Sequence, residues 1–219
     1  MGHAGMSIRP EVPRVLGVVL AGGQSRRFGH GDKALATLGG KTVLDHVIER
    51  ARPQVDHLIL NMNGDRARFV RFGLEIVADE TPGEGPFGGI LAALAHASAG
   101  GFDMTATFPC DTPFFPRDLV ARLGAALDAQ EADFAIAASE GREHRVFALW
   151  RRQARASLAG AYAKGMRRLG DAAECLRACV VDFSPQDGES SFLNINRGED
   201  LAEAEAFLVR TPGGVNGRA

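Results

Sequence analysis

Residues 15–20, Val-Leu-Gly-Val-Val-Leu, form a short apolar run that stops dead at Gly22-Gly23. Its length and β-branched content predict a buried parallel strand. The two glycines lack a Cβ, so backbone there can approach a ligand closely and take φ values closed to other residues. Arg26, Arg27, Gly29, Gly31 and Lys33 follow within a few residues. A strand running into a glycine turn backed by cations is a cradle for phosphate, with backbone N–H groups and fixed charge aimed at one anion. Glycines alone could make no more than a tight turn, but the three cations beside them favour a bound phosphate. The ligand to expect is a nucleotide. The spacing is neither the Walker A pattern GxxxxGK(S/T) nor the dinucleotide pattern GxGxxG.

The rest of the chain continues as alternating strands and helices. Helical spacing spans Thr42 to Arg52, with Val43, Val47 and Ala51 on one face, and a second apolar strand spans His57 to Asn61. Phe69 to Phe72 reads as a helix closed by Gly73, and Leu74 to Ala78 as a third strand ending in Asp79. Thr81 to Gly89 reads as a glycine- and proline-rich loop opening into a helix over Ile90 to Ser98. Met104 to Phe108 is a fourth strand, ending at Pro109-Cys-Asp-Thr-Pro113, and Pro116 to Asp128 a helix. Strands at Phe134–Ala138, Val146–Leu149 and Cys179–Phe183 and helices at Ala154–Lys164 and Leu201–Val209 complete the pattern. It predicts a three-layer, doubly wound α/β fold with a mostly parallel sheet, similar to the Rossmann type. One domain is expected over residues 15–209, with residues 1–14 a disordered lead-in and 210–219 a flexible tail.

In 219 residues, 45% hydrophobic and 24% charged, there is ample material for one such core. A net charge of −2 supplies no global basic field, so nucleic acid is not an expected partner. No apolar stretch reaches the roughly 18 residues that span a bilayer, and residues 1–14 lack the apolar centre of a signal peptide. Membrane is not expected, and the chain is expected to be cytoplasmic. Three cysteines without a CxxC pair suit a reducing compartment. Cys175 and Cys179 are spaced i, i+4 on an expected helix, but without a histidine pair they make a poor zinc site.

Ligands of doubly wound sheets bind at the carboxyl ends of the strands. Gly22, Asn61, Asp79 and Asp111 all fall at such ends. Asp111, fixed between two prolines, suits Mg²⁺, which takes one or two carboxylates and completes its shell with phosphate and water; it could equally cap a turn. Asn194 and Asn196 alternate around Ile195, which places both amides on one side of an expected strand. They could bind substrate, orient the metal, or tie down a turn.

Taken together, these residues resemble the molybdenum cofactor guanylyltransferases. The resemblance runs over about residues 15–209. It is carried by Leu20-Ala-Gly-Gly23 with Ser25-Arg-Arg27, Gly29 and Asp32-Lys33, then Asn61, Asp79, Gly85-Pro86 and Gly88-Gly-Ile90. Pro109-Cys-Asp-Thr-Pro113 and Phe192-Leu-Asn-Ile-Asn196 before Glu199-Asp-Leu201 complete it. The first loop alone is common to many sugar-phosphate nucleotidyltransferases; the whole set is specific. The resemblance implies transfer of GMP from GTP to the terminal phosphate of molybdopterin (or its molybdenum form) with release of pyrophosphate. It implies nucleotide binding by Leu20, Ala21, Gly22, Gly23, Lys33, Asn61, Asp79 and Asp111, with Mg²⁺ on Asp111. Lys33 and Arg27 would act with Asp111 in catalysis, and Asn194 and Asn196 would face molybdopterin.

Related cytidylyltransferases carry Ala-Ala-Gly at the loop, so Gly23 is the residue expected to leave room for a purine. The alternatives are a relative using CTP or a sugar phosphate, and a non-catalytic nucleotide-binding carrier of the pterin. A monomer is expected, with a molybdoenzyme chaperone or apoenzyme as a further partner. Two positions depart from the family pattern. Arg145 replaces a proline on the pterin side, and Asn196-Arg-Gly198 replaces Asn-Thr-Pro, which is expected to loosen the start of the last helix.

Overall fold

Strand β1 (Val15–Leu20) lies inside a seven-stranded sheet and is buried on both faces. In the computed structural model, residues 12–21, 32–79, 85–184 and 192–210 are described. Leu16, Val18 and Leu20 point to one side of β1 and Val19 to the other, as period-two alternation requires. Gly17 is the exception that packing demands: a Cβ there would stand 2.8 Å from both Leu58 and Val55 side-chain atoms.

On one side, β1 pairs in parallel with β4 (His57–Asn61), which pairs in parallel with β5 (Glu75–Val77). On the other it pairs in parallel with β6 (Met104–Pro109). Beyond β6 lie β8 (Arg142–Arg151), β7 (Phe134–Ser139) and β9 (Ala178–Asp182), giving the order β5-β4-β1-β6-β8-β7-β9. Only β8 runs antiparallel to its neighbours, so the sheet is mostly parallel as expected. A separate two-stranded hairpin joins β2 (Thr37–Leu38) to β3 (Lys41–Thr42). Its turn, Gly39-Gly40, has positive φ at both positions, the geometry of a tight hairpin that glycine adopts without strain.

Helices cover both faces. α1 (Val43–Ala51) and α3 (Leu119–Ala129) bury Leu44, Val47, Leu123 and Leu127 against Val19, Leu60, Phe108 and Ala135. α2 (Pro86–Ala99) and α4 (Ala154–Ala163) bury Ile90, Leu94, Ala97 and Leu158 against Leu16, Val18, Ile59 and Trp150. A third, smaller core forms where α5 (Gly198–Arg210) lays Ala204 and Phe207 on Leu38, Val43, Phe114 and Ile195. Among the described residues, no helix is long and apolar enough to cross a membrane.

The structure corrects several local expectations. α2 begins at Pro86, so Gly88 and Gly89 are helical rather than loop residues. Helix α3 starts at Leu119, because Pro116 to Leu119 closes a turn first. Cys175 caps a short 3-10 segment and Cys179 lies in β9, so the two do not share a helix. Residues 192–197 form no strand. At the start of α5, where the family's proline is missing, the Asp200 carboxylate accepts from the amides of Asn196 (2.7 Å) and Arg197 (2.8 Å). The stretches 1–11 and 211–219, which hold most of the expected lead-in and tail, lie outside the described residues.

Leu123 is fully buried between α3 and the sheet. Replacing it by alanine removes the burial and leaves a cavity, so Leu123→Ala is expected to cost about 2–5 kcal/mol. A shift of the urea midpoint without a change in slope measures it.

Candidate active site

The first three strands of the parallel half run outward from β1 to β4 and β5, and the chain then crosses back to β6 on the opposite side of β1. The strand order therefore reverses between β1 and β6, and the crevice beyond their carboxyl ends is where such sheets bind ligands. Leu20 and Pro109 are register partners at that end. The Cys110 amide donates to the Leu20 carbonyl (3.2 Å) and the Ala21 amide to the Asn61 carbonyl (2.8 Å). Backbone pairing thus sets the ends of β4, β1 and β6 in a row.

Two clusters of polar side chains occupy this row. At β6, Asp111 is 7% exposed. Its carboxylate forms an ion pair with Lys33 Nζ through Oδ2 and accepts from the Thr112 hydroxyl through Oδ1 (3.2 Å). Lys33 opens a short 3-10 turn capped by Asp32, whose carboxylate accepts from the Ala34 amide. The same ammonium donates to Asn196 Oδ1 (3.1 Å). Asn196 is held there because Ile195 is fully buried and its amide donates to the Asp111 carbonyl (2.8 Å). Asn194 and Asn196 both lie exposed on either side of buried Ile195, without the expected strand; the Ile195–Asp111 backbone bond and the Asp200 carboxylate help to set this stretch. Asn194 lines the adjoining cleft.

At β4 and β5, Asn61 is 2% and Asp79 8% exposed. Asn61 Nδ2 donates to Asp79 Oδ1 (2.7 Å) and to the Val77 carbonyl (3.2 Å). Asn63, two positions beyond Asn61, completes the cluster. Its Nδ2 donates to Asp79 Oδ2 (2.8 Å), and its Oδ1 accepts from the Asp79 amide (3.0 Å). Asp79 thus spends both carboxylate oxygens on amides and acts as the part that fixes Asn61. The amino end of α2 closes over this cluster. A Cβ on Gly89 would run into Asn61 Oδ1 and stand 3.0 Å from Leu20. Among the described residues no side chain caps the first turn of α2, whose Gly89 lies against Asn61 and Leu20 and so brings the positive end of the helix dipole to this cluster.

Of the expected site residues, Leu20, Ala21, Lys33, Asn61, Asp79, Asp111, Asn194 and Asn196 all stand at this end of the sheet. Gly22, Gly23, Arg26 and Arg27 lie outside the described residues.

A cleft of about 980 Å³ opens beside the Asp111 cluster, lined by Lys33, Thr112, Asn194 and Asn196 and by Phe192 and residues 142–147. The part lined by residues 142–145 was not legible in the sequence. β8 breaks register against β7, pairing Ala148 with Ile136 but His144 with Ala137, so residues 145–147 bulge toward the cleft. His144 stacks on Phe192 at 4.2 Å and 11°, and its Nε2 lies 2.8 Å from Ser139 Oγ. Burial, reinforced by the charge of Arg142, holds the imidazole below its usual range. Arg145, the residue that departs from the family pattern, bonds Glu143 through Nε (2.8 Å) and lays its guanidinium over Gly170, where no side chain intervenes.

Among the described residues there is no cluster of three or more His, Cys, Asp or Glu that could hold a metal ion. A cation of the Mg²⁺ type needs less from the protein, since one or two carboxylates suffice where phosphates supply the remaining oxygens. The Asp111 cluster fits that demand. Its donors are hard oxygens, and Lys33 already places a positive charge between Asp111 Oδ2 and Asn196 Oδ1.

Residues 17–177 match the family model described as the MobA-like NTP transferase domain. This chain belongs to that family. It is 43% identical over 203 residues to a protein of Nitrobacter hamburgensis named molybdenum cofactor guanylyltransferase, covering 91% of this chain and 97% of that one. It is 41% identical to a protein of the same name from Rhodopseudomonas palustris strain HaA2, covering 96% and 99%. Among solved structures, molybdopterin-guanine dinucleotide biosynthesis protein A of Archaeoglobus fulgidus shares the fold, with a TM-score of 0.73 and 24% identity over 90% of this chain and all of that one. A 4-diphosphocytidyl-2C-methyl-D-erythritol synthase of Anaerococcus prevotii does so at 0.67 and 15%, covering 90% and 99%. In this MobA-like nucleotidyltransferase, the crevice between β1 and β6 is accordingly the site to test.

Two predictions follow from these contacts. Gly89→Ala forces its new methyl group against the buried Asn61 amide, and overpacking of this kind costs about 1–3 kcal/mol; the melting temperature should fall accordingly. His144, with its folded pKa below the unfolded value of 6.5, binds protons preferentially in the unfolded chain. Its contribution to stability is therefore constant above that value and declines as the pH falls below it. Urea midpoints across this range should fall less steeply for His144→Phe than for the unaltered protein.

Proposed function

We propose that this protein transfers GMP from GTP to the terminal phosphate of molybdopterin and releases pyrophosphate. One observation carries the reading: Lys33 and Asp111 meet at the β1–β6 crevice, on the edge of a cleft large enough for a second substrate. The names of the relatives at 43% and 41% identity support the two substrates.

In this reading GTP lies across the carboxyl ends of β4, β1 and β6. The base and ribose are placed toward Leu20, Ala21, Asn61 and the loop at Gly22-Gly23, and Asp79 keeps Asn61 oriented. The amino end of α2 faces the phosphates, and Arg27 would set its positive charge against theirs. Asp111 would hold Mg²⁺, which supplies charge neutralisation at phosphate oxygens when bound. Molybdopterin occupies the adjoining cleft, with Asn194 and Asn196 on one wall and the His144–Phe192 stack on the other, a flat surface suited to a heterocycle.

An oxygen of the pterin's terminal phosphate attacks the α-phosphorus of GTP as the bond to the bridging oxygen of the β-phosphate breaks. Pyrophosphate departs with that electron pair. The nucleophile is already an anion, so no general base is needed and His144 is left to its structural role. Lys33 offsets the charge that develops on the departing phosphates, and positioning supplies the rest.

Asp111→Ala is expected to retain the fold and lose turnover by about a hundredfold or more, measured as pyrophosphate released from GTP plus molybdopterin. Lys33→Ala should depress turnover more than GTP affinity. GTP should outcompete CTP. Wild-type rates in Asp111→Ala, or equal use of CTP, would overturn the assignment.

A further inference from the structure

The Lys33 ammonium stands where a divalent cation would stand, between Asp111 Oδ2 and Asn196 Oδ1, with Asp111 Oδ1 taken by Thr112. The contact is sheltered, the lysine side chain being 19% and the aspartate side chain 9% exposed. From this arrangement, and resting on the reading of Asp111 as the metal-bearing carboxylate, we infer that Lys33 is a resident counter-cation that keeps the site closed to metal until a nucleoside triphosphate arrives.

Charge and coordination both oppose a metal ion entering alone. With Lys33 in place, the charge of Asp111 is already balanced, and each of its oxygens already accepts one hydrogen bond. A divalent ion entering alone would have to share one carboxylate with an ammonium a few ångströms away, in a part of the protein where water screens poorly. A triphosphate changes both terms. It brings several negative charges, gives Lys33 new oxygen acceptors within reach of a flexible four-carbon stem, and provides the oxygens that Mg²⁺ prefers to a protein cage. Once Lys33 swings to the phosphates, Asp111 Oδ2 and Asn196 Oδ1 are released together.

The hinge for that movement is short, because the lysine backbone is fixed by the 3-10 turn that Asp32 caps. Metal and nucleotide binding are then coupled by the same free energy in both directions. Lys33 has two successive partners, Asp111 before substrate binds and phosphate afterwards.

The test uses Mn²⁺ alone as the probe, with the free ion counted by electron paramagnetic resonance and no nucleotide present. Lys33→Met and Lys33→Gln both remove the charge, so either one that folds decides the matter. Each is expected to bind Mn²⁺ about tenfold or more tightly than the unaltered protein. Adding Asp111→Asn to either variant should abolish the gain. Unchanged Mn²⁺ affinity in the lysine variants, or a gain that survives Asp111→Asn, overturns the proposal. Pyrophosphate release by the unaltered protein separates this from the assignment of function. Release with no gain in Mn²⁺ binding leaves the guanylyltransferase standing without the latch. A gain without release under any substrate combination leaves the latch standing without the guanylyltransferase.

Discussion

The parallel pairing of β1 with β6 is the constraint on which the site depends. These strands are separated by almost ninety residues of chain, yet their register sets Leu20 against Pro109, and the next amide, Cys110, bonds back to Leu20. The end of β1 and the carboxylate that follows β6 are neighbours for that reason. The core enforces it. Leu16, Val18 and Leu20 can be buried against α2 only if Val19 faces α1, so a slip of one residue would turn the apolar set out of its layer. Sheet register sets Asp111 beside the end of β1, and the 3-10 turn capped by Asp32 presents Lys33 to it.

The buried polar groups show how such a site is held without wasting free energy. Asn61 and Asp79 are almost wholly removed from water, a position that costs heavily unless each donor and acceptor is met. Asn63 and the Val77 carbonyl supply further partners: the Asn61 amide nitrogen bonds Asp79 and Val77, and both carboxylate oxygens of Asp79 accept from amides. The result is a rigid wall, because moving Asn61 would break two bonds at once and Gly89 leaves it little room. The Asp111 cluster is of another kind. Its ion pair lies at the mouth of a cleft, and its partners can be exchanged for those of a ligand. A fixed wall beside an exchangeable ion pair suits a site that must hold one part of a substrate still while charge shifts at another.

Much of this was legible in the sequence. The short apolar runs of β1, β4 and β6 fixed the parallel half of the sheet, and strand-end logic selected Asn61, Asp79 and Asp111 without any contact information. What escaped did so for physical reasons. Gly88-Gly89 reads as a loop because glycine weakens helices, but both are helical here, and at Gly89 the absence of a Cβ allows close packing on Asn61 and Leu20. The first half of β8, Arg142 to Arg145, is charged and carries no strand signal, because it continues past β6 and is supported by β7 alone. The His144–Phe192 stack joins residues 48 positions apart through a bulge, and no period in the sequence encodes that. Asn63 needed the partner that folding supplies.

The least obvious dependence is on α5, which touches neither cluster through a catalytic side chain. Asn196 lies in a stretch with no strand partner, and its position is set by the residues on either side. Ile195 is sunk into the small core with Phe114 and Ala204, while Asp200 gathers the amides of Asn196 and Arg197 at the helix start. Phe207 of α5 packs on Phe114 at 4.5 Å, and Phe114 directly follows the Asp111-Thr-Pro113 turn. One aromatic contact therefore ties the last helix to the turn that carries Asp111. Arg50 of α1 binds the carbonyls of Phe114 and Phe115 from the other side (3.2 and 2.7 Å), so that turn is clamped between the first helix and the last. The geometry of Lys33, Asp111 and Asn196 is in this sense a property of the chain's two ends: helices that never enter the crevice hold its central carboxylate and amide in register.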